Sequence, residues 1–102
     1  MEAPASVVVI ARWQTTETHL DTVLNSVATL GRLSVAEPGC VGYQAFQESD
    51  DPTSLVFIEH YRDEDAQQAH ANSPHYQEYV VERIRPLLTA RHVEILRVRE
   101  LT

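Results

Sequence analysis

The chain has no lysine, one cysteine and three glycines, and its net charge is -7. Each of these scarcities removes a class of function. The lone Cys40 permits no internal disulfide, so nothing in the sequence asks for an oxidising compartment. All 8 basic residues are arginines, set against 15 acidic ones, and no basic stripe exists to follow a phosphate backbone. The same balance disfavours an anionic membrane surface. No apolar run approaches the ~18–20 residues that span a bilayer. The opening "MEAPAS" has neither the basic start nor the apolar core of a signal peptide. The expectation is a soluble cytoplasmic protein with no nucleic-acid or membrane partner.

What is present suits one small domain, residues 1–102 with a core over about 6–101: the chain has 102 residues, 43% of them hydrophobic. A chain this short buries only about 60–65% of its unfolded surface and gains from pairing with a second copy. Ser6–Trp13 ("SVVVIARW") is short and β-branched, a strand. Thr15, Thr16 and Thr18 are candidate caps for an amphipathic helix. Its apolar positions Leu20, Val23, Leu24, Val27 and Leu30 keep helical spacing, and it should end near Val35, before the Glu37-Pro38-Gly39 turn. Val41–Glu48 and Leu55–Tyr61 read as the second and third strands, separated by a turn at Ser49–Pro52. Asp63-Glu64-Asp65 suits the positive end of a helix dipole. Asn72-Ser73-Pro74 should interrupt that helix, with Ser73 capping a new one that carries Tyr76, Tyr79, Val80 and Ile84 and stops around Arg85. His92–Leu101 closes the chain as a strand, with Val93, Ile95 and Leu101 at even spacing.

The order β-α-β, turn, β-α-β predicts an α+β class, ferredoxin-like split βαβ fold (βαββαβ) with an antiparallel sheet and both helices on one face. Val8, Ile10, Val56 and Ile58 would then line the opposite face. A second copy is the simplest cover for it, which predicts a face-to-face homodimer.

Three stretches, "EPGCVGYQAFQ" (Glu37–Gln47), "DPTSLVFIEHYRDEDAQQAH" (Asp51–His70) and "SPHYQEY" (Ser73–Tyr79), give the sequence a family resemblance. It resembles the antibiotic biosynthesis monooxygenase (ABM) family of the dimeric α/β-barrel superfamily over nearly the whole chain, Val7 to Leu101. Glu59 and Tyr61 fill the family's E-x-W/Y strand end, Ala66, Ala69 and His70 its A-x-x-A-H helix, and Ser73 and His75 its S-x-H motif. The resemblance implies oxygenation of phenolic, quinol or polyketide-type aromatic substrates by O2, without metal, flavin or haem. Haem-degrading relatives carry an Asn late in the first strand, a Trp in the second helix and a downstream histidine. This chain has Trp13, His70 and Val80 there, so haem degradation is not expected.

Oxygenation without a cofactor needs a base that turns a phenol into an electron-rich anion, a dry pocket and close positioning. Imidazole ordinarily titrates in the range this task needs. His70 and His75 flank the Ser-Pro break, and a bent backbone can aim both rings at one pocket. A helix-capping or surface pair is the plainer alternative. His70 is the favoured base, because it follows alanines that should pack on the sheet, with His75 and Glu59 assisting. Glu59 shares a strand face with Phe57 and Tyr61; pairing with Arg12 or Arg97 would be its structural role. Trp13, Tyr43, Phe46, Tyr61 and Tyr76 are the candidate substrate-binding aromatics. No H-x-x-x-H or H-E-x-x-H spacing occurs, and Cys40 stands alone, so neither a metal nor another cofactor is expected. Two other functions suit the same residues: a proton-shuttling isomerase of a small carbonyl metabolite, and a non-catalytic accessory protein that binds a small molecule.

Overall fold

The computed structural model describes residues 6–101, so the first five residues, where the targeting signal was sought, and Thr102 lie outside it. The elements are β1 (Val7–Gln14), α1 (Leu20–Val35), β2 (Cys40–Gln47), β3 (Ser54–Tyr61), α2 (Glu64–Ala71), α3 (Tyr76–Ile84) and β4 (Ala90–Arg97). A single 3₁₀ turn, Arg85–Leu87, joins α3 to β4. The sheet order is β2-β3-β1-β4, with every neighbouring pair antiparallel. This is the expected ferredoxin-like α+β fold. No described helix is long and apolar enough to cross a membrane.

Strand alternation creates two unlike faces. Val7, Val9, Ala11 and Trp13 of β1 are buried, as are Leu55, Phe57, Glu59 and Tyr61 of β3. They meet Val23, Val27 and Leu30 of α1, Ala66 of α2, and Val80 and Ile84 of α3. Each fully buried Val or Leu there contributes roughly 1.5–3 kcal/mol relative to exposure. The opposite face carries Val8, Ile10, Val56, Ile58, Phe46 and Leu96 across all four strands. Ile58, Phe46 and Leu96 are exposed and the other three are half-buried.

Three expectations need correction. The threonines do not cap α1: its first flanking residue is His19, which makes no side-chain cap. Thr15 instead is buried and donates its hydroxyl to Leu87 O at 2.7 Å, tying the end of β1 to the 3₁₀ turn. The last strand begins at Ala90 and ends at Arg97. Val7 pairs with Arg97, one further backbone bond runs from Val98 N–H to Ser6 O at 2.9 Å, and Leu101 is 93% exposed. Finally, α3 is wound with π-type bonds, Arg85 N–H reaching Val80 O, which no apolar spacing foretells.

Helix entry at Asp63 is as expected: its carboxylate accepts from Ala66 N at 2.8 Å. Ser73 serves both sides of the break, donating to His70 O at 2.7 Å and accepting from Tyr76 N at 3.2 Å. Gly39 lets the turn after α1 approach α2 closely, because a Cβ there would collide with the Cβ of Ala66. Replacing Gly39 with Ala should therefore destabilise the fold by about 1–3 kcal/mol, as overpacking does. Chemical denaturation of the variant would measure it, and an unchanged midpoint would refute the close approach.

Candidate active site

Three chain segments converge on one oxygen. Glu37 leaves the C-terminal end of α1, its N–H bonded to Ser34 O, and Pro38-Gly39 turn the chain beneath α2. His70 occupies the last turn of α2 and faces the sheet, with only 4% of its surface exposed. His75 follows the Ser73-Pro74 break at the start of α3. His70 Nδ1 lies 2.7 Å from Glu37 Oε2, and His75 Nε2 lies 2.6 Å from the same atom. A carboxylate can only accept, so each imidazole places a proton on the nitrogen facing it. For neutral His70 this leaves the lone pair on Nε2.

That Nε2 points towards Glu59, 3.6 Å from its Oε1, which is too far for a direct hydrogen bond. Glu59 is buried in β3 and accepts from the Tyr61 hydroxyl at 2.6 Å. Burial raises the Glu59 carboxyl above the ordinary glutamate range, more than the Tyr61 bond and the His70 charge lower it. Burial, reinforced by the Glu59 charge, likewise holds the Tyr61 phenol well above its usual range. Tyr43 is raised for the same reasons in the same order.

His70 and Glu59 open onto a cavity of about 180 Å³ between the sheet and the helices. Trp13, Tyr43 and Tyr76 supply aromatic walls, while Ala11, Val80 and Val93 supply aliphatic ones. The Tyr76 ring stands edge-on to His70 at 5.3 Å between centroids, and Tyr43 lies 6.1 Å away. Trp13 packs on Phe57 at 4.4 Å. Its buried Nε1 has no hydrogen-bond partner among the described residues. On the other side of Glu37 a second depression runs along α2 past Gly39, Arg62 and Ser73. The Glu37–His70 bond thus stands between the cavity and this depression.

The candidate residues divide cleanly. His70, His75 and Glu59 come together, joined by Glu37, which sequence reasoning quoted in a motif and gave no role. Trp13, Tyr43 and Tyr76 line the cavity. Tyr61 does not: it lies beneath Glu59 and holds that carboxyl. Phe46 is on the opposite sheet face, opposite Val56, because it is three residues from Tyr43 and strand alternation separates them. Glu59 has no arginine partner, since Arg12 faces outward and Arg97 pairs with Glu64 at 2.6 Å. Gln67 and Arg91 line the cavity and were missed. For Arg91 the signal was its place in step with Val93 and Ile95 on β4. Burial, and next the Glu37 charge, push the Cys40 thiol up, away from a nucleophilic thiolate.

Glu37, His70 and His75 could also hold a divalent cation, since their ligand atoms all lie within 4.8 Å of one another. Their N···O separations of 2.6 and 2.7 Å are hydrogen-bond lengths. Tetrahedral zinc ligands would stand about 3.3 Å apart, given bonds of about 2.0–2.1 Å.

The class is therefore a split βαβ fold with a mostly apolar cavity whose polar end is a carboxylate-oriented imidazole beside a buried carboxyl. Residues 6–82 match the family model described as antibiotic biosynthesis monooxygenase, and the chain belongs to that family. No curated protein matches the sequence. Among solved structures, Rv0793 from Mycobacterium tuberculosis is 29% identical, with 96% of this chain and 100% of that chain covered and a TM-score of 0.85. A structure described as an antibiotic biosynthesis monooxygenase is 25% identical, with 94% and 99% covered and a TM-score of 0.83. A conserved protein from Methanosarcina mazei Go1, at 24% identity, covers 93% and 94% with a TM-score of 0.87 and speaks for the fold.

The raised carboxyl has a consequence for stability. Below the ordinary glutamate pKa, Glu59 is protonated in both folded and unfolded chains and has no effect. As pH rises above it, the unfolded carboxyl ionises freely while the folded one resists, so stability falls through the window up to the raised folded value. Glu59→Gln avoids this loss and can still accept from Tyr61. Thermal denaturation should show the variant melting a few degrees above the parent at neutral pH, with the gap closing towards pH 4. A gap independent of pH would contradict the assignment.

Proposed function

We propose that the protein is a cofactor-independent monooxygenase acting on a single-ring phenol or quinol. One observation carries this reading: His70 has its Nδ1 tied to Glu37 and its Nε2 free at a largely apolar cavity. Membership of the ABM family supports an oxygenase of this general type. Cavity size favours one ring over a fused polycycle, since about 150 Å³ suffices for benzene.

In this reading the phenolic proton passes to His70 Nε2, and Glu37 stabilises the resulting imidazolium through Nδ1–H. The phenolate gives one electron to O2, the radical pair joins at a ring carbon as a peroxide anion, and the His70 imidazolium returns its proton to give the hydroperoxide. Loss of water from that hydroperoxide leaves the quinone. Trp13 Nε1–H, otherwise unpartnered, would donate to an oxygen of the bound molecule. Tyr43 and Tyr76 pack against the ring.

The isomerase alternative rests on the 3.6 Å approach of His70 Nε2 to Glu59, two proton carriers side by side. That enzyme would turn over its substrate without oxygen. Oxygen-electrode assays on a panel of phenols and quinols therefore decide between them. His70→Ala should lower kcat/KM about 100-fold or more, the usual share of a general base. Retention of full oxygen uptake by that variant would remove His70 from the role.

The open sheet face supports a homodimer as the working assembly. Every strand contributes an apolar side chain to it, and His60 Nε2, on that face, is buried without a partner among the described residues. A cytoplasmic location agrees with the single free cysteine. Ile58→Glu, at the middle of the face, should convert a dimer to a monomer in light scattering. A dimer that survives the substitution would place the interface elsewhere.

A further inference from the structure

The cavity has a second polar end. The Tyr76 ring stands nearly perpendicular to that of His70, at 77°, and its hydroxyl meets two arginines: Arg91 Nη2 lies 3.2 Å and Arg85 Nη2 3.5 Å from Tyr76 Oη. The two guanidinium groups are therefore within about 7 Å of each other, a like-charge pair whose repulsion an anion would relieve. Arg91 itself lines the cavity.

Neither arginine has a carboxylate within ion-pair distance among the described residues. Arg62, Arg83 and Arg97 each do. Arg12, Arg32 and Arg99 are also without one, and what sets Arg85 and Arg91 apart is that both converge on a single phenol oxygen, that of Tyr76, beside a cavity that Arg91 lines. A guanidinium carries five N–H donors in a planar fork, and the contact with one phenol oxygen uses few of them. The remaining donors suit a carboxylate, which the fork can grip with two parallel bonds.

We propose that Arg91 and Arg85 form an anion subsite, and that the cavity takes a phenol or quinol bearing a ring carboxylate. The inference builds on the oxygenase reading and narrows its substrate class. Polarity sets the orientation. A carboxylate at the deep end would meet Glu59 and, behind His70, Glu37, whereas at the mouth it meets two cations. The ring hydroxyl is thereby directed to His70 Nε2. Tyr76 bridges the two ends and holds the ring between them.

Calorimetric titration under anaerobic conditions tests the subsite apart from turnover. Gentisate, a dihydroxybenzoate, and its neutral methyl ester serve as the matched probes. The parent protein should bind the acid about tenfold more tightly than the ester or better. Arg91→Gln and Arg85→Gln should each remove most of that preference while leaving ester affinity in place. Arg91→Lys, which keeps the charge without the fork, should retain part of it. Equal affinity for acid and ester, no binding of the acid, or a preference that survives both Gln substitutions would overturn the proposal. So would tighter binding of hydroquinone monophosphate than of gentisate, which would assign the subsite to phosphate. Oxygen uptake is measured separately. Arginine-dependent acid binding without uptake leaves the subsite standing and removes the oxygenase, whereas uptake with no preference for the acid removes the subsite alone.

Discussion

The site depends on one carboxylate oxygen accepting from two imidazoles. Imidazole has two nitrogens, and fixing an acceptor at one decides which proton state the other presents. Glu37 does this for His70 across 33 residues of sequence, and it ties His75 to the same atom. The three groups come from the exit of α1, the last turn of α2 and the start of α3. No shared element holds them in place, so their geometry is set by tertiary packing. Gly39 lets the Glu37 turn come close to α2, and Ser73 fixes the bend that separates the two histidines.

β3 supplies the other half of the arrangement through simple alternation. Glu59 and Tyr61 are two residues apart and point to the same side, where the phenol anchors the carboxyl beside His70. The residues between and before them, His60 and Ile58, are turned to the opposite face by the same geometry. One strand therefore builds a polar corner of a cavity and an apolar patch suited to pairing. A slip of one residue in register would exchange the two faces and abolish both.

Much of this was legible in the sequence. β1 and β3 were readable because their runs are β-branched and short, and α1 because its apolar stripe is long. His70 was legible from the alanines that precede it on a helix meeting the sheet. Glu37 was not, because nothing local distinguishes a turn glutamate that reaches two distant imidazoles from one left in solvent. Phe46 was a different kind of miss: period-two alternation already separates it from Tyr43, and its aromatic character outweighed its parity. The last strand was drawn too long for want of a partner strand, since even spacing at Leu101 says nothing about where β1 begins. The π winding of α3 has no counterpart in apolar spacing, yet it governs how Tyr76 and Val80 meet the cavity.

The cost of burying Glu59 also bears on the chemistry. An ionised carboxylate at that depth would oppose the formation of a phenolate beside it, as like charges do in a poorly screened site. Burial raises the Glu59 carboxyl and so shifts it towards the protonated form, which would lessen that opposition in the proposed reaction. In the proposed oxygenase, Glu37, on the far side of His70, would act through the Nδ1 contact and not by facing the substrate. Two carboxyls flanking one imidazole thus sit in unlike settings, one buried beneath the cavity with its carboxyl raised and one hydrogen-bonded to both histidines. The stability lost at Glu59 is then a consequence of burying a carboxyl at the edge of a cavity, the arrangement in which functional sites commonly trade stability for chemistry.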